Sequence, residues 1–102
     1  MTVKKINKYI SNASKIVNSI NNHSDEILKI SKLLINANKN NKTIYVCGNG
    51  GSDSEAEHFV TELLCTYDKK NRKPISAVSL NSNASSISAW SNDFEYETFL
   101  KR

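Results

Sequence analysis

The sequence predicts an α/β chain. Two observations carry that prediction: stretches of helical period alternate with short β-branched apolar segments, and a Gly-rich loop runs from the first such segment straight into a helix. Residues 4–22 place Ile6, Tyr9, Ile10, Ala13, Ile16, Val17 and Ile20 at spacings of three and four, the apolar stripe of an amphipathic helix. Asn21-Asn22-His23 is expected to break it. Ser24 is then expected to cap a second helix, with Asp25 and Glu26 suited to its positive end. That helix carries Ile27, Ile30, Leu34 and Ala37 on one face, widened by Leu28, Leu33 and Ile35. The polar run Asn38 to Lys42 ends it.

Thr43-Ile44-Tyr45-Val46-Cys47 is short, β-branched and apolar on both faces, and predicts a buried parallel strand. Gly48-Asn49-Gly50-Gly51-Ser52 follows as a loop, and a helix is expected from about Asp53 to Tyr67, opened by a Ser52/Glu55 capping box. Pro74 introduces a second strand over Ile75 to Leu80. Asn83 is expected to cap a short helix through Ile87 and Trp90, with Trp90 packed on the sheet. Asn92-Asp93 should end that helix, and a last helical segment starts near Glu95. Two parallel strands leave both sheet edges unpaired, so these residues are expected to be the first half of a larger domain or to need a partner that completes the sheet.

Composition excludes several classes. With 38% hydrophobic and 24% charged residues the chain can form a core, which excludes a disordered tail. No segment approaches the ~20 consecutive apolar residues of a membrane span, and Met1 to Asn12 lacks an apolar leader. Cys47 and Cys65 make no disulfide framework, and a reducing cytoplasmic compartment is expected; Cys65 is placed in the core. The net charge of +4 is spread along helix faces, with one cluster over Lys69 to Lys73. That cluster has two readings, a solvated loop or a contact for phosphate or nucleic acid. His23, among Asn and Ser in a helix-helix junction, is expected to be exposed.

Gly48 to Ser52 lies where open α/β sheets bind ligands, at the carboxyl end of a strand. Asp53 occupies the position of the third Gly of a dinucleotide fingerprint, and no Gly-Lys-Ser/Thr follows, so neither nucleotide pattern is met. The loop is either a tight structural turn or a ligand loop; Asn49 and Ser52 beside three glycines favour the latter. Asp53, Glu55 and Glu57 oppose an anion at the same helix end, so the loop is expected to meet the hydroxyl end of a ligand. His58 and Glu62, four apart, share a helical face. They are either a solvated surface pair or two ligands of a divalent metal, nitrogen and oxygen donors that suit zinc.

Tyr45 to Ser52, then Ala56-Glu57-His58-Phe59 with Glu62-Leu63, then Ser91-Asn92-Asp93-Phe94 together resemble the sugar isomerase (SIS) family, and within it the members that act on sedoheptulose 7-phosphate. The resemblance implies the N-terminal half of a three-layer α/β/α SIS parallel-sheet domain over residues 41–102, preceded over residues 1–40 by a helical pair used for oligomerisation. It implies that Asn49, Gly50, Gly51, Ser52, Glu62, Asn92 and Asp93 contact the sugar. It further implies that His58 and Glu62 are zinc ligands, and that Glu62 is also the acid-base moving a proton between C1 and C2 through an enediolate. Family members run to nearly twice this length, and their second half supplies a Ser/Thr-rich phosphate loop and further zinc ligands from Gln and His, which are not found among these residues. Two metal ligands and one acid-base are too few for a complete site, so the remaining zinc ligands are expected from that missing half.

Three functions follow from these features. The first is a zinc-dependent ketose-aldose isomerase of heptose synthesis for cell-surface polysaccharide, cytoplasmic and tetrameric as the family typically is. The second is a non-catalytic SIS module that binds a sugar phosphate or a protein partner, as the replication-initiator-associating members do. The third is a nucleic-acid binder using Lys69 to Lys73. Retention of both His58 and Glu62 favours the enzyme.

Overall fold

The computed structural model describes residues 1–101. These form four α-helices, α1 (Val3–Ser19), α2 (Ser24–Lys39), α3 (Gly51–Leu64) and α4 (Ala84–Asp93), and two strands, β1 (Ile44–Val46) and β2 (Ala77–Ser79). Short 3-10 helices occupy Ile20–His23 and Tyr96–Lys101. The chain divides into two compact units, one over Met1–Asn36 and one from Ala37 onward.

In the first unit, Thr2 caps α1, its hydroxyl accepting from the Lys5 amide at 3.3 Å. The expected break at Asn21-Asn22-His23 is instead a tightening into the 3-10 turn, and Ser24 is not a cap. Its backbone is helical and its hydroxyl donates back to the Asn21 carbonyl at 2.8 Å. A serine within helical backbone can bond back to a carbonyl of the preceding turn in this way. The stripe along α1 is formed as expected, yet no residue of α1 or α2 is buried, and Ile10, Ile16, Val17 and Leu33 stand exposed. His23 is exposed, as expected.

The second unit is built on β1 and β2, which pair in parallel with Ile44 opposite Ala77, Tyr45 opposite Val78 and Val46 opposite Ser79. Pairing extends by one bond at each end, from the Ile44 amide to the Ser76 carbonyl and from the Leu80 amide to the Val46 carbonyl, both at 2.9 Å. Helix α3 crosses between the strands and packs on both, placing Ala56 and Val60 against the face that carries Ile44 and Ala77. These side chains are the core. The expectation of a buried strand holds for one face only. Tyr45 and its partner Val78 share the opposite face and are 65% and 43% exposed, because α3 covers just the first.

Two further expectations are corrected. Cys65 is exposed, since α3 ends at Leu64 and Cys65 follows it as a cap with non-helical backbone. Trp90 is packed within its own segment, stacked on Phe94 with ring centroids 4.2 Å apart and donating from Nε1 to Thr98 Oγ1 at 2.8 Å. Asn83 does cap α4, its Oδ1 accepting from the Ser86 amide at 3.0 Å.

The turn from β1 into α3 sets the position of everything beyond it. A Cβ on Gly48 would lie 2.3 Å from the Ser52 carbonyl oxygen and 2.7 Å from the Asp53 nitrogen, backbone atoms that cannot yield cheaply. Gly50 has φ +56°, a conformation that only Gly adopts without cost, and no neighbour within 4 Å of a Cβ. The helix therefore begins at Gly51 with Gly50 as its cap, and the Ser52/Glu55 box is replaced by backbone carbonyls. Asn49 O accepts from the Ser52 amide at 3.0 Å, and Gly50 O accepts from Asp53 and Ser54 at 3.0 and 3.3 Å.

Gly48→Ala is expected to destabilise the protein by about 1–3 kcal/mol through backbone overpacking. Gly51→Ala meets open space at ordinary φ and should leave stability unchanged or raise it by about 0.4–1 kcal/mol. Chemical denaturation of the two variants checks the contrast.

Candidate active site

Because β1 and β2 are parallel, the loop after β1 and the segment after β2 leave the sheet at the same edge, the edge at which open α/β sheets take ligands. Asn81, half-buried just past β2, ties the two together: its Oδ1 accepts from the Gly48 amide at 3.2 Å. A second tie comes from further along the chain, where the Tyr96 hydroxyl donates to Asn49 Oδ1. Asn49, Gly50, Gly51 and Ser52 are exposed at this edge.

The amides of Ser52, Asp53 and Ser54 in the first turn of α3, which would add to an anion site if free, are engaged by the Asn49 and Gly50 carbonyls. Below them the Asp53 Oδ1 atom is buried without a hydrogen-bond partner among the described residues, and so is the Ser79 hydroxyl at the end of β2. An engaged amide set above a carboxylate suits a hydroxylated ligand group better than a phosphate.

Asn92 and Asp93 end α4, both exposed, with Asn92 Nδ2 donating to Asp93 Oδ1 at 3.0 Å. Asp93 also borders an apolar groove of about 590 Å³ between α4 and the following 3-10 helix, with Leu80, Trp90, Phe94 and Phe99 among its walls.

His58 and Glu62 meet on one face of α3, as their spacing predicts: Nε2 lies 3.2 Å from Oε1. The His58 side chain is 69% exposed and that of Glu62 32%. Ten residues separate Ser52 from Glu62, about 15 Å of helix at 1.5 Å per residue. The structure thus brings the loop, Asn81 and Tyr96 together at one end of α3, and the His-Glu pair to a position further down the same helix. Helical side chains lean towards the N-terminus, so the pair leans towards the loop end. Nitrogen and oxygen donors at this separation are of the right type for zinc. Their number is not, since zinc takes at least three protein ligands and no group of three His, Cys, Asp or Glu able to hold a metal occurs among the described residues.

Arg72 has a role that its basic surroundings conceal. Its guanidinium donates to the carbonyls of Leu63 at 2.7 Å, Lys73 at 3.1 Å, and Glu62, closing the C-terminal end of α3. The Ile75 amide adds a bond to Leu63 O at 3.0 Å. The rest of the cluster, Lys69, Lys70 and Lys73, is exposed while Arg72 is half-buried. The lysines are thus open to solvent, whereas Arg72 is taken up in closing the end of α3.

Residues 8–102 match the SIS domain family. The chain belongs to that family. Among its SIS-domain relatives, the phosphoheptose isomerase of Helicobacter pylori (strain ATCC 700392 / 26695) is 36% identical over 95 residues, covering 93% of this chain and 49% of that protein. Phosphoheptose isomerase 1 of Campylobacter jejuni is 38% identical over 88 residues, 86% of this chain and 47% of its own length. The solved structure of a phosphoheptose isomerase from Francisella tularensis superposes with a TM-score of 0.86 at 28% identity, over 97% of this chain and 52% of that one. The SIS fold expected from the sequence is thereby established. The chain spans about half the length of the curated relatives it matches.

Arg72→Ala removes a charged donor from three carbonyls and is expected to cost about 2–3 kcal/mol. Arg72→Lys should recover only part of it, because an ammonium cannot reproduce the planar fork. Urea unfolding of both variants measures the difference; full recovery by Lys would refute the fork.

Proposed function

We propose that this SIS domain serves a ketose-aldose isomerase converting sedoheptulose 7-phosphate to D-glycero-D-manno-heptose 7-phosphate, in the cytoplasm, for heptose and cell-surface polysaccharide synthesis. The observation that carries the reading is the hydrogen-bonded His58–Glu62 pair on the helix opened by the Gly loop, in a chain whose relatives are phosphoheptose isomerases. Aldose-ketose interconversion moves a proton between adjacent carbons through an enediolate, so it needs a carboxylate held at those carbons and donors for the developing oxygen charge. In this reading Glu62 takes the C1 proton and returns it to C2, the hydroxyl proton passes from O1 to O2 across the enediolate, and His58 holds the carboxylate in place. Asn49, Gly50, Gly51, Ser52, Asn92 and Asp93 bind the sugar hydroxyls, which lie along α3 towards the pair.

His58 and Glu62 would also provide two donors to a zinc ion that polarises the carbonyl when bound, with the other ligands coming from polypeptide outside these 102 residues. No step above depends on the ion. The exposed stripe of α1 and α2 supports assembly into a homotetramer, residues 1–40 acting as the oligomerising pair and residues 41–102 as the first part of the SIS domain. No helix among the described residues is long and apolar enough to cross a membrane.

Glu62→Gln is expected to lower isomerisation by at least about 10²-fold while binding of sedoheptulose 7-phosphate persists. Turnover near the wild-type rate would remove Glu62 as the base. His58→Ala should reduce bound zinc by elemental analysis; unchanged content would return the pair to a solvated contact. Ile16→Glu, a charge in the exposed stripe, should lower the sedimenting mass, and an unaltered mass would exclude the stripe from assembly.

A further inference from the structure

Asn49 projects from a loop of glycines, and its amide can present either of two chemistries to a ligand: an oxygen that accepts or an NH₂ group that donates twice. Nothing in its own loop fixes that choice. The fixing contact comes from 47 residues along the chain, where the Tyr96 hydroxyl donates to Asn49 Oδ1. With the oxygen engaged, the Nδ2 hydrogens are the edge of the amide that has no partner among the described residues.

Tyr96 is itself held. It opens the 3-10 helix Tyr96–Lys101, and that segment is pinned through Thr98, whose hydroxyl accepts from Trp90 Nε1 at 2.8 Å and donates to the Glu95 carbonyl at 2.7 Å. Trp90 in turn is stacked on Phe94. The phenol therefore reaches the loop from a braced segment, whereas the loop's own backbone bonds run into α3 and, from the Gly48 amide, to Asn81.

We propose that Tyr96 is a positioning residue of the sugar site: it locks the Asn49 amide so that Nδ2 donates to an oxygen of the bound polyhydroxy ligand. The inference rests on the reading that this loop meets the hydroxyl end of a sugar phosphate, and it adds the residue that sets the polarity of the loop's one amide side chain. The same tie closes the edge of the site over the β1–α3 turn, since it joins the loop to the segment that follows Asn92 and Asp93.

The test uses Tyr96→Phe, Asn49→Ala and the double variant, compared with wild type. Without ligand, ¹⁵N relaxation of the Asn49 side-chain NH₂ reads the lock directly, and Tyr96→Phe should make that group more mobile. With sedoheptulose 7-phosphate in a calorimeter, Tyr96→Phe should weaken binding about three- to tenfold, the range of one hydrogen bond. Asn49→Ala should weaken it at least as much, and adding Tyr96→Phe to Asn49→Ala should cost nothing more, because Tyr96 acts only through that amide. A merely structural Tyr96 would instead show its full loss on top of Asn49→Ala, which would overturn the proposal. So would wild-type amide mobility and wild-type affinity in Tyr96→Phe. If the wild-type protein itself does not bind the sugar phosphate, the isomerase reading falls and this role falls with it; if it binds and only the Tyr96 results fail, the isomerase reading stands alone.

Discussion

The Ser52 carbonyl lies so close to the Cα of Gly48 that no side chain fits between them, and the site is arranged around that contact. Because the chain reverses within five residues, α3 returns along the strand it has just left and lays Ala56 and Val60 over Ile44 and Ala77. The same contact leaves the Gly48 amide pointing across to Asn81, so the ends of the two parallel strands are joined by a side chain as well as by the ladder. A larger residue at position 48 would widen the turn, displace the first turn of α3 and loosen the Asn81 bond together.

What α3 leaves uncovered is as informative as what it buries. Parallel sheets are covered on both faces, since their strands are apolar on both. Here Tyr45 and Val78, paired across the ladder, face outward, and the stripes of α1 and α2 hold no buried residue. Relatives of twice the length carry further polypeptide that this chain does not match. The excess of apolar surface over buried core is therefore a property of these 102 residues, and it limits how much of their stability is intrinsic. Among the described residues the buried apolar side chains are Ile44, Ala56, Val60 and Ala77, two of them alanines that contribute little area.

The order of elements, the parallel pairing and the His58–Glu62 contact were all legible in the sequence, because periodicity and i, i+4 spacing are local geometry. Local rules misjudged positions where a long-range or backbone contact takes over. Ser24 and Ser52 have the chemistry of caps, yet at Ser24 the helix continues through a 3-10 turn, and at Ser52 the carbonyls of Asn49 and Gly50 already serve the first amides. Cys65 reads as apolar but falls one residue past the end of α3. Asn81, Arg72 and Tyr96 carried no local signal of a role at the site or at the end of α3. Each acts across nine or more residues, on Gly48, Leu63 and Asn49 respectively. For Arg72 the signal was masked by neighbouring lysines, which made a helix-capping guanidinium look like one more solvated charge.

The two ends of α3 finally explain why its side chains, and not its dipole, are left to act on a ligand. At the N-terminus the amides of Ser52, Asp53 and Ser54 are bonded to loop carbonyls, and Asp53 offsets the partial positive charge. At the C-terminus the Arg72 guanidinium takes up the carbonyls of Glu62 and Leu63 and offsets the partial negative charge. A helix so neutralised at both ends gives a phosphate little to bind at its start, in contrast to loops whose amides stay free for an anion. Any recognition at this edge would then come from discrete donors and acceptors, and the Asn49 amide among them is bonded to the distant Tyr96. If the proposed sugar phosphate binds here, its phosphate would have to be held by groups away from this turn.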